Sequence, residues 1–174
     1  MKKTGNLKNS RPKIKVPYQF FDIILECVSI TLILLLWLYL FSEYSSLPDT
    51  IASHYNSAGE PNDYSNKTFI WILPSIATLL YVGLFILNRF PHLHNYMVNI
   101  TEENALKNYR FSTRIVRITY TLCAALIAYI TYHIIEGAKG EVLKLGSWFL
   151  PIVLGASILL PVIIFIFYRK INKL

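Results

Sequence analysis

The sequence predicts an all-α integral membrane protein. The expected form is a four-helix bundle, N-in/C-in, with a short amphipathic surface helix in its first outer loop. Three observations predict it. Four apolar runs are each long enough to cross a bilayer, which takes about 20 residues. The charged residues, 16% of the chain, cluster between those runs, while the hydrophobic share is 54% and the mean hydropathy +0.43. Lys and Arg also fall mostly on alternate connections, as the positive-inside rule requires. At 174 residues there is room for one compact unit.

Residues 1–19 form a basic cytoplasmic leader with Lys2, Lys3, Lys8, Arg11, Lys13 and Lys15. Its role is topology and contact with anionic lipid. The first span runs from Phe20 to Phe41 and contains ITLILLLWLYLF. That run exceeds a signal-peptide core, and FSEYSSL is a poor cleavage site, so the span reads as an uncleaved anchor. Residues 20–87 are read as a two-span unit whose outer loop, 42–67, is too long to be structureless. Pro48 suits the first turn of a helix and Asp49 its positive end. Leu47, Ile51 and Tyr55 recur every fourth residue, which predicts a surface helix over 48–56. The second span runs from Phe69 to Leu87.

Residues 88–114 are read as a cytoplasmic loop and helix extension. FPHLHNYMVNI alternates after Pro91 and reads as extended. Thr101 is a candidate N-cap, with Glu102 and Glu103 in the first turn. No breaker follows, so one helix is expected from Glu102 to Ile135, with the third span from Ile115 to Ile135. Its less polar extension face, Ala105, Tyr109, Ser112 and Val116, should pack on the leader. The connection EGAKGEVLKLGS reads as short and plain. Residues 115–168 make a second two-span unit, the fourth span running from Trp148 to Tyr168, and 169–174 form a cytoplasmic tail.

Orientation follows from counting. Arg89, Lys107, Arg110, Arg114, Arg117, Arg169, Lys170 and Lys173 join the six leader cations on one side, against Lys67, Lys139 and Lys144 on the other. Both termini are therefore expected inside. This placement also accounts for the net charge of +7 without nucleic acid, since no basic stripe interleaves with exposed aromatics. Cys27 and Cys123 lie inside apolar runs, as small buried thiols rather than a disulfide framework.

Acids at membrane depth seek partners. Asp22 and Glu26 lie one turn apart at the inner end of span one, and Arg114 and Arg117 lie at the matching depth of span three. Helix-docking ion pairs are expected. A proton or ion relay is the competing reading, and spans two and four supply no acid to continue it. His54, with Asp49, Glu60 and Asp63 nearby, is a weak candidate for a divalent cation, and so is the pair His92 and His94. Neither has a complete ligand pattern, so no metal or cofactor is expected. There is no nucleophile elbow, HExxH, phosphate loop or dinucleotide fingerprint, and no catalytic residue is assigned.

One further pattern stands out in the first outer loop. Leu47-Pro48, Ile51, His54-Tyr55-Asn56, Gly59-Glu60-Pro61 and Lys67, followed by a span containing Pro74, resembles the domain of unknown function 1648. The first half of the chain is thereby similar to the start of SdpI-type bacteriocin-immunity proteins. The resemblance implies a bacterial inner-membrane protein with the motif loop outside, where it would meet a toxin or another envelope partner. The expected function is non-enzymatic: recognition of an envelope peptide or membrane-protein partner, immunity, or signalling through the loop. A small transporter, a membrane enzyme using the intramembrane acids, and a structural subunit of a membrane complex are the alternatives.

Overall fold

Hydrocarbon cannot hydrogen-bond a peptide group, so an apolar run that enters it folds as a helix. The computed structural model describes residues 11–140 and 144–173. It is mostly helical, with α1 (Phe20–Glu43), α2 (Ile72–Leu87), α3 (Glu102–Ala138) and α4 (Phe149–Asn172). All four are long and apolar enough to cross a membrane, which makes this a multi-pass membrane protein. α2 has only 16 residues, about 24 Å at 1.5 Å per residue. A 3-10 turn over Lys67–Trp71 precedes it and brings the span to 21 residues. Pro74 falls in the first turn of α2, where its missing N–H costs nothing, whereas Pro161 lies inside α4. Lys2, Lys3 and Lys8 of the leader and part of the last connection lie outside the described residues.

α3 is the hub. It packs on α1, α2, α4 and the strand that follows α1. It starts where expected and runs to Ala138, with the Asn104 Oδ1 accepting from the Thr101 N–H at 3.0 Å. The start of α1, the start of α3 and the end of α4 share one end of the bundle. There the Arg114 guanidinium donates to Gln19, and the Asn172 Nδ2 donates to the Asn108 Oδ1 at 3.0 Å. We refer to it as the basic end. Both cysteines are free, and Cys27 is exposed on the bundle surface instead of buried.

A polar network ties three helices together near the basic end. The Arg114 Nε lies 3.0 Å from the Asp22 Oδ1, and the Arg117 Nε lies 3.0 Å from the Glu26 Oε1. Arg117 also reaches Asp22, at 3.8 Å. The Tyr120 hydroxyl donates to the Glu26 Oε1 at 2.6 Å, and the Tyr81 hydroxyl of α2 donates to its Oε2 at 3.1 Å. Asp22, Glu26 and Arg117 are each at most 9% exposed. Deeper in the bundle, Ser29 and Thr121 share a 2.7 Å hydrogen bond, and the Trp37 Nε1 donates to the Thr78 Oγ1 at 3.0 Å.

The surface helix expected over 48–56 does not form. A two-stranded antiparallel hairpin stands there, β1 (Thr50–Tyr55) and β2 (Pro61–Asn66). The every-fourth-residue spacing of Leu47, Ile51 and Tyr55 misled the reading. Ile51 and its neighbour Ala52 are both buried, and the pairing slips just after them, between Ala52 and His54, so the strand shows no regular alternation. The turn is encoded in Asn56-Ser57-Ala58-Gly59. The Asn56 Oδ1 accepts from the Ala58 and Glu60 N–H groups at 2.9 and 3.0 Å, and Gly59 takes φ +75°. The hairpin caps a core of Leu40, Leu47, Ile51, Ile70, Ile134 and Ile135.

The segment between α2 and α3 is also less extended than expected, because Pro91 starts a 3-10 turn over Pro91–Leu93. The leader packs against it and against Ala105 and Tyr109 of the expected face of α3, whereas Ser112 meets His94 and Val116 lies toward α4. Ile100, Ala105 and Tyr109 form a second core with Val16, Tyr96 and Val98. The Tyr109 hydroxyl donates to the Pro12 carbonyl at 3.0 Å, and Arg11 donates to the His92 and His94 carbonyls at 3.1 and 2.6 Å. His94 is buried, with its Nε2 3.2 Å from the Leu87 carbonyl and its Nδ1 2.6 Å from the Ser112 Oγ. A carbonyl only accepts, so the Nε2 carries the proton and the Nδ1 accepts from Ser112.

Two outcomes follow. Breaking a buried pair strands the surviving charge, at a cost of about 3–5 kcal/mol. Arg117→Met should lower stability by that order in detergent unfolding, and the double variant Glu26→Leu/Arg117→Leu should recover most of it. A double variant as unstable as the single one would show that the network is not what Arg117 supports. The second outcome concerns pH. Burial holds His94 below its ordinary value of 6.5. Above 6.5 it is neutral folded or unfolded, and its contribution is complete. As the pH falls below 6.5 the unfolded segment takes the proton first, and stability is lost down to the folded pKa. Protection of residues 91–98 from hydrogen exchange, taken relative to the intrinsic rate at each pH, should therefore fall as the pH drops below 6.5, and His94→Gln should flatten the response.

Candidate functional site

The end of the bundle opposite the basic one carries the hairpin. Its position is set by side chains that the motif supplies. Leu47 and Ile51 anchor it in the core, 3% and 2% exposed. The Lys67 Nζ donates to the Leu47 carbonyl at 2.9 Å and lies 3.7 Å from the Asp49 carboxylate. Asn56 and Gly59 make the turn, Pro61 opens β2, and Pro48 is exposed where the chain leaves Leu47. Most of the motif therefore builds the hairpin and holds it to the bundle.

The hairpin does not stand alone. The Leu145 N–H donates to the Gly59 carbonyl at 2.9 Å, and the Lys144 Nζ pairs with the Glu60 Oε1 at 2.6 Å. A Cβ on Gly59 would sit 2.7 Å from the Gly146 carbonyl oxygen. The Tyr129 hydroxyl of α3 donates to the Leu145 carbonyl at 3.0 Å and holds the connection from beneath. The last connection, which reads as plain, is thus clasped to the first. Glu60 and Lys144 carry opposite charges, but nothing local in either segment signals that they meet. Beside the clasp, Lys139 bridges the Glu43 and Glu136 carboxylates, and the Tyr39 hydroxyl donates to Glu136.

Between the hairpin, the end of α3 and Lys144 lies a recess of about 300 Å³. Thr50 and Tyr55 of β1, Tyr64 of β2 and Gly137 of α3 contribute walls. Tyr64 is 62% exposed, and β2 faces outward along most of its length. The Lys144 ammonium beside Glu60 holds that carboxyl below the usual carboxylate range. Burial pushes the Tyr55 hydroxyl up to about 12, so it remains a neutral donor. Among the described residues the site offers aromatic surface, an unpaired outer edge of β2 and charge of both signs.

The other candidate residues are placed as follows. The His54 Nδ1 lies 2.6 Å from the Asn62 Oδ1, while Asp49 is turned to Lys67. His94 spends both ring nitrogens on Ser112 and Leu87, away from His92, whose ring lies edge-on to Phe90. Among the described residues no three His, Cys, Asp or Glu side chains converge as a metal group. Glu26 is enclosed by Arg117, Tyr120 and Tyr81.

Gly59→Ala should open the clasp. The left-handed φ costs an L-residue about 1–2 kcal/mol, and the contact with Gly146 adds to it. Exchange of the Leu145 amide should rise well above that of the parent while amides in the middle of α3 hold their rates. Unchanged Leu145 protection would mean that the two connections are not held together.

Comparison with known proteins finds partial matches. Residues 31–78 match the model of the domain of unknown function 1648. They comprise the second half of α1, the hairpin and the first turns of α2. An uncharacterized protein of the archaeon Archaeoglobus fulgidus is 32% identical over 71 residues, which is 36% of this chain and 39% of that protein. The chain therefore spans well under half the length of this relative. No solved structure matches. What the comparisons establish is a segment of that domain within a multi-pass membrane protein, and a distant archaeal relative of part of the chain.

Proposed function

We propose that the hairpin end is a recognition surface for a peptide or membrane-protein partner of the cell envelope, in a non-enzymatic, bacterial inner-membrane protein with both termini cytoplasmic. The observation that carries this reading is the clasped hairpin itself. Two connections are tied across the end of the bundle around a recess, and the exposed ring of Tyr64 and the outer edge of β2 are left for contact. Lys and Arg at the other end support the orientation. α3 supplies a route for a signal. It packs on β1 at one end and on the leader at the other, in one helix of 37 residues.

The transporter alternative is weakened by the surroundings of Glu26. Its carboxylate oxygens are taken up by Arg117, Tyr120 and Tyr81. Ion pairing that locks α1 to α3 explains these residues with less. The resemblance to the start of immunity proteins makes a peptide toxin one candidate partner, beside another protein of the envelope.

The test places a photoreactive amino acid at Tyr64, and as a control at Ile158 on α4, in the chain produced in bacteria. The same cells, with parent chain or with Tyr64→Ala, are challenged with a panel of envelope-active peptides. A crosslink confined to position 64, together with protection that Tyr64→Ala abolishes, is the expected result. Equal crosslinking at both positions with unchanged peptide sensitivity would overturn the reading.

A further inference from the structure

α4 is attached to the bundle chiefly at its two ends. At the hairpin end Phe149 stacks on Tyr129, ring centroids 5.6 Å apart. At the basic end Tyr168 packs 6.0 Å from Phe111, its hydroxyl accepts from the Met97 and Val98 N–H groups at 3.0 and 3.2 Å, and Asn172 bonds Asn108. Tyr168 is the single buried residue of α4. Between the two attachments the helix stands off α3, and Ile158, Leu159, Val162 and Ile163 are all exposed.

The gap is a crevice of about 380 Å³ in the half of the bundle nearer the basic end. Ile115 and Val116 of α3 face Pro161 and Ile164 of α4 across it. The volume lies within the range of ligand sites, about 300–1,000 Å³. An apolar void of this size forfeits the contacts of its whole lining, so it does not stay empty beside a fluid of acyl chains. Phe111 and Phe165 line the end of the crevice toward the basic end, and each has a cation one turn away along its helix. Lys107 precedes Phe111 by four residues, and Arg169 follows Phe165 by four, its guanidinium 6.0 Å over the Phe165 ring. The Lys107 Nζ lies 3.2 Å from the Ile171 carbonyl, which draws it toward the end of α4. Ser112 and Asn95 add polar groups at the same rim. The nearest acid on this face of α3 is Glu103, a further turn beyond Lys107. Arg11 lies 5.3 Å from the centre of the Tyr96 ring, which lines the crevice, and Lys170 stands on the last turn of α4 beside Arg169.

We infer that the α3–α4 crevice is a binding site for an anionic phospholipid, with one acyl chain between the helices and the phosphate between Lys107 and Arg169. The site is independent of what the hairpin recognises. Depth selects the chain and the paired cations select the head. A zwitterionic lipid has the same chain but offers the cations no net charge. A bound lipid would also complete the contact of α4 with α3, so that its ends and middle act as one.

The test is native mass spectrometry of the full chain released from nanodiscs of equal parts phosphatidylglycerol and phosphatidylcholine. The parent should retain one phosphatidylglycerol in clear preference. Lys107→Gln/Arg169→Gln should reduce that preference by about thirtyfold, from the loss of two cations near an anionic head. Val116→Trp fills the crevice from α3 and should expel the lipid. Ile164→Phe fills it from α4 and serves if the first variant does not fold. Three results would each overturn the inference. Equal retention of both lipids would mean an ordinary lipid annulus. Retention that survives both filling variants but not the charge variant would mean adsorption to the basic surface. A dimer that the filling variants dissociate would mean that a second copy occupies the crevice.

Discussion

Arg117 is the residue around which the three packed helices are arranged. Its Nε serves Glu26 and its Nη1 reaches Asp22, which joins α3 to two successive turns of α1. Tyr81 brings α2 to the same carboxylate. A carboxylate or guanidinium at membrane depth costs roughly 2.5–3.5 kcal/mol on insertion scales. In lipid there is no hydrophobic force between helices to set their rotation, because acyl chains are as apolar as leucine. A directional interaction has to do so. The ion pairs set the facing of α1 and α3, and the small contacts above them, Ser29 with Thr121 and Trp37 with Thr78, then fall into register. α4 takes no part in this network, which fits its loose attachment.

How much of this was legible in the sequence depends on the range of the signal. The spans were legible because a bilayer imposes a length and a composition on any chain that crosses it. The long α3 was legible because its start is marked locally, by Thr101 with Glu102 and Glu103, and nothing interrupts it before Gly137. The geometry also brings together the four residues whose matching depth suggested pairing, Asp22 and Glu26 with Arg114 and Arg117. The hairpin was not legible. Over nine residues, spacings of four fit a helix and an irregular strand equally well, and Pro48 with Asp49 resembles a helix start. What decides the outcome is the partner strand 61–66, whose Asn, Asp and Ser residues carry almost no strand propensity of their own. Its pairing is imposed by the Asn56–Gly59 turn. The clasp was invisible for a simpler reason: Gly59 and Gly146 meet across two intervening spans, and absence of a side chain is the whole of their signal.

The two ends of the molecule differ in how they are held. At the hairpin end an aliphatic core lies beneath a small sheet, with charged pairs at the rim. At the basic end many of the holding contacts run from side chains to peptide groups. Tyr109, Tyr168 and Arg11 each bond a peptide group, and only a few apolar residues lie between them. Such contacts sit well at the headgroup level, where an aromatic ring finds apolar surroundings on one side and polar ones on the other.

The distance in sequence between Glu26 and Arg117 also has a consequence for synthesis. Ninety-one residues separate them. At roughly 5–20 residues per second, α1 emerges from the ribosome about 5–20 s before the arginine that neutralises it exists. Asp22 and Glu26 lie in the first two turns of α1, so the helix can begin to insert with both acids still among the lipid headgroups. Membrane entry of the first helix is thus completed by the third. A chain truncated after α2 would present the insertion machinery with two carboxylates that have nowhere to go.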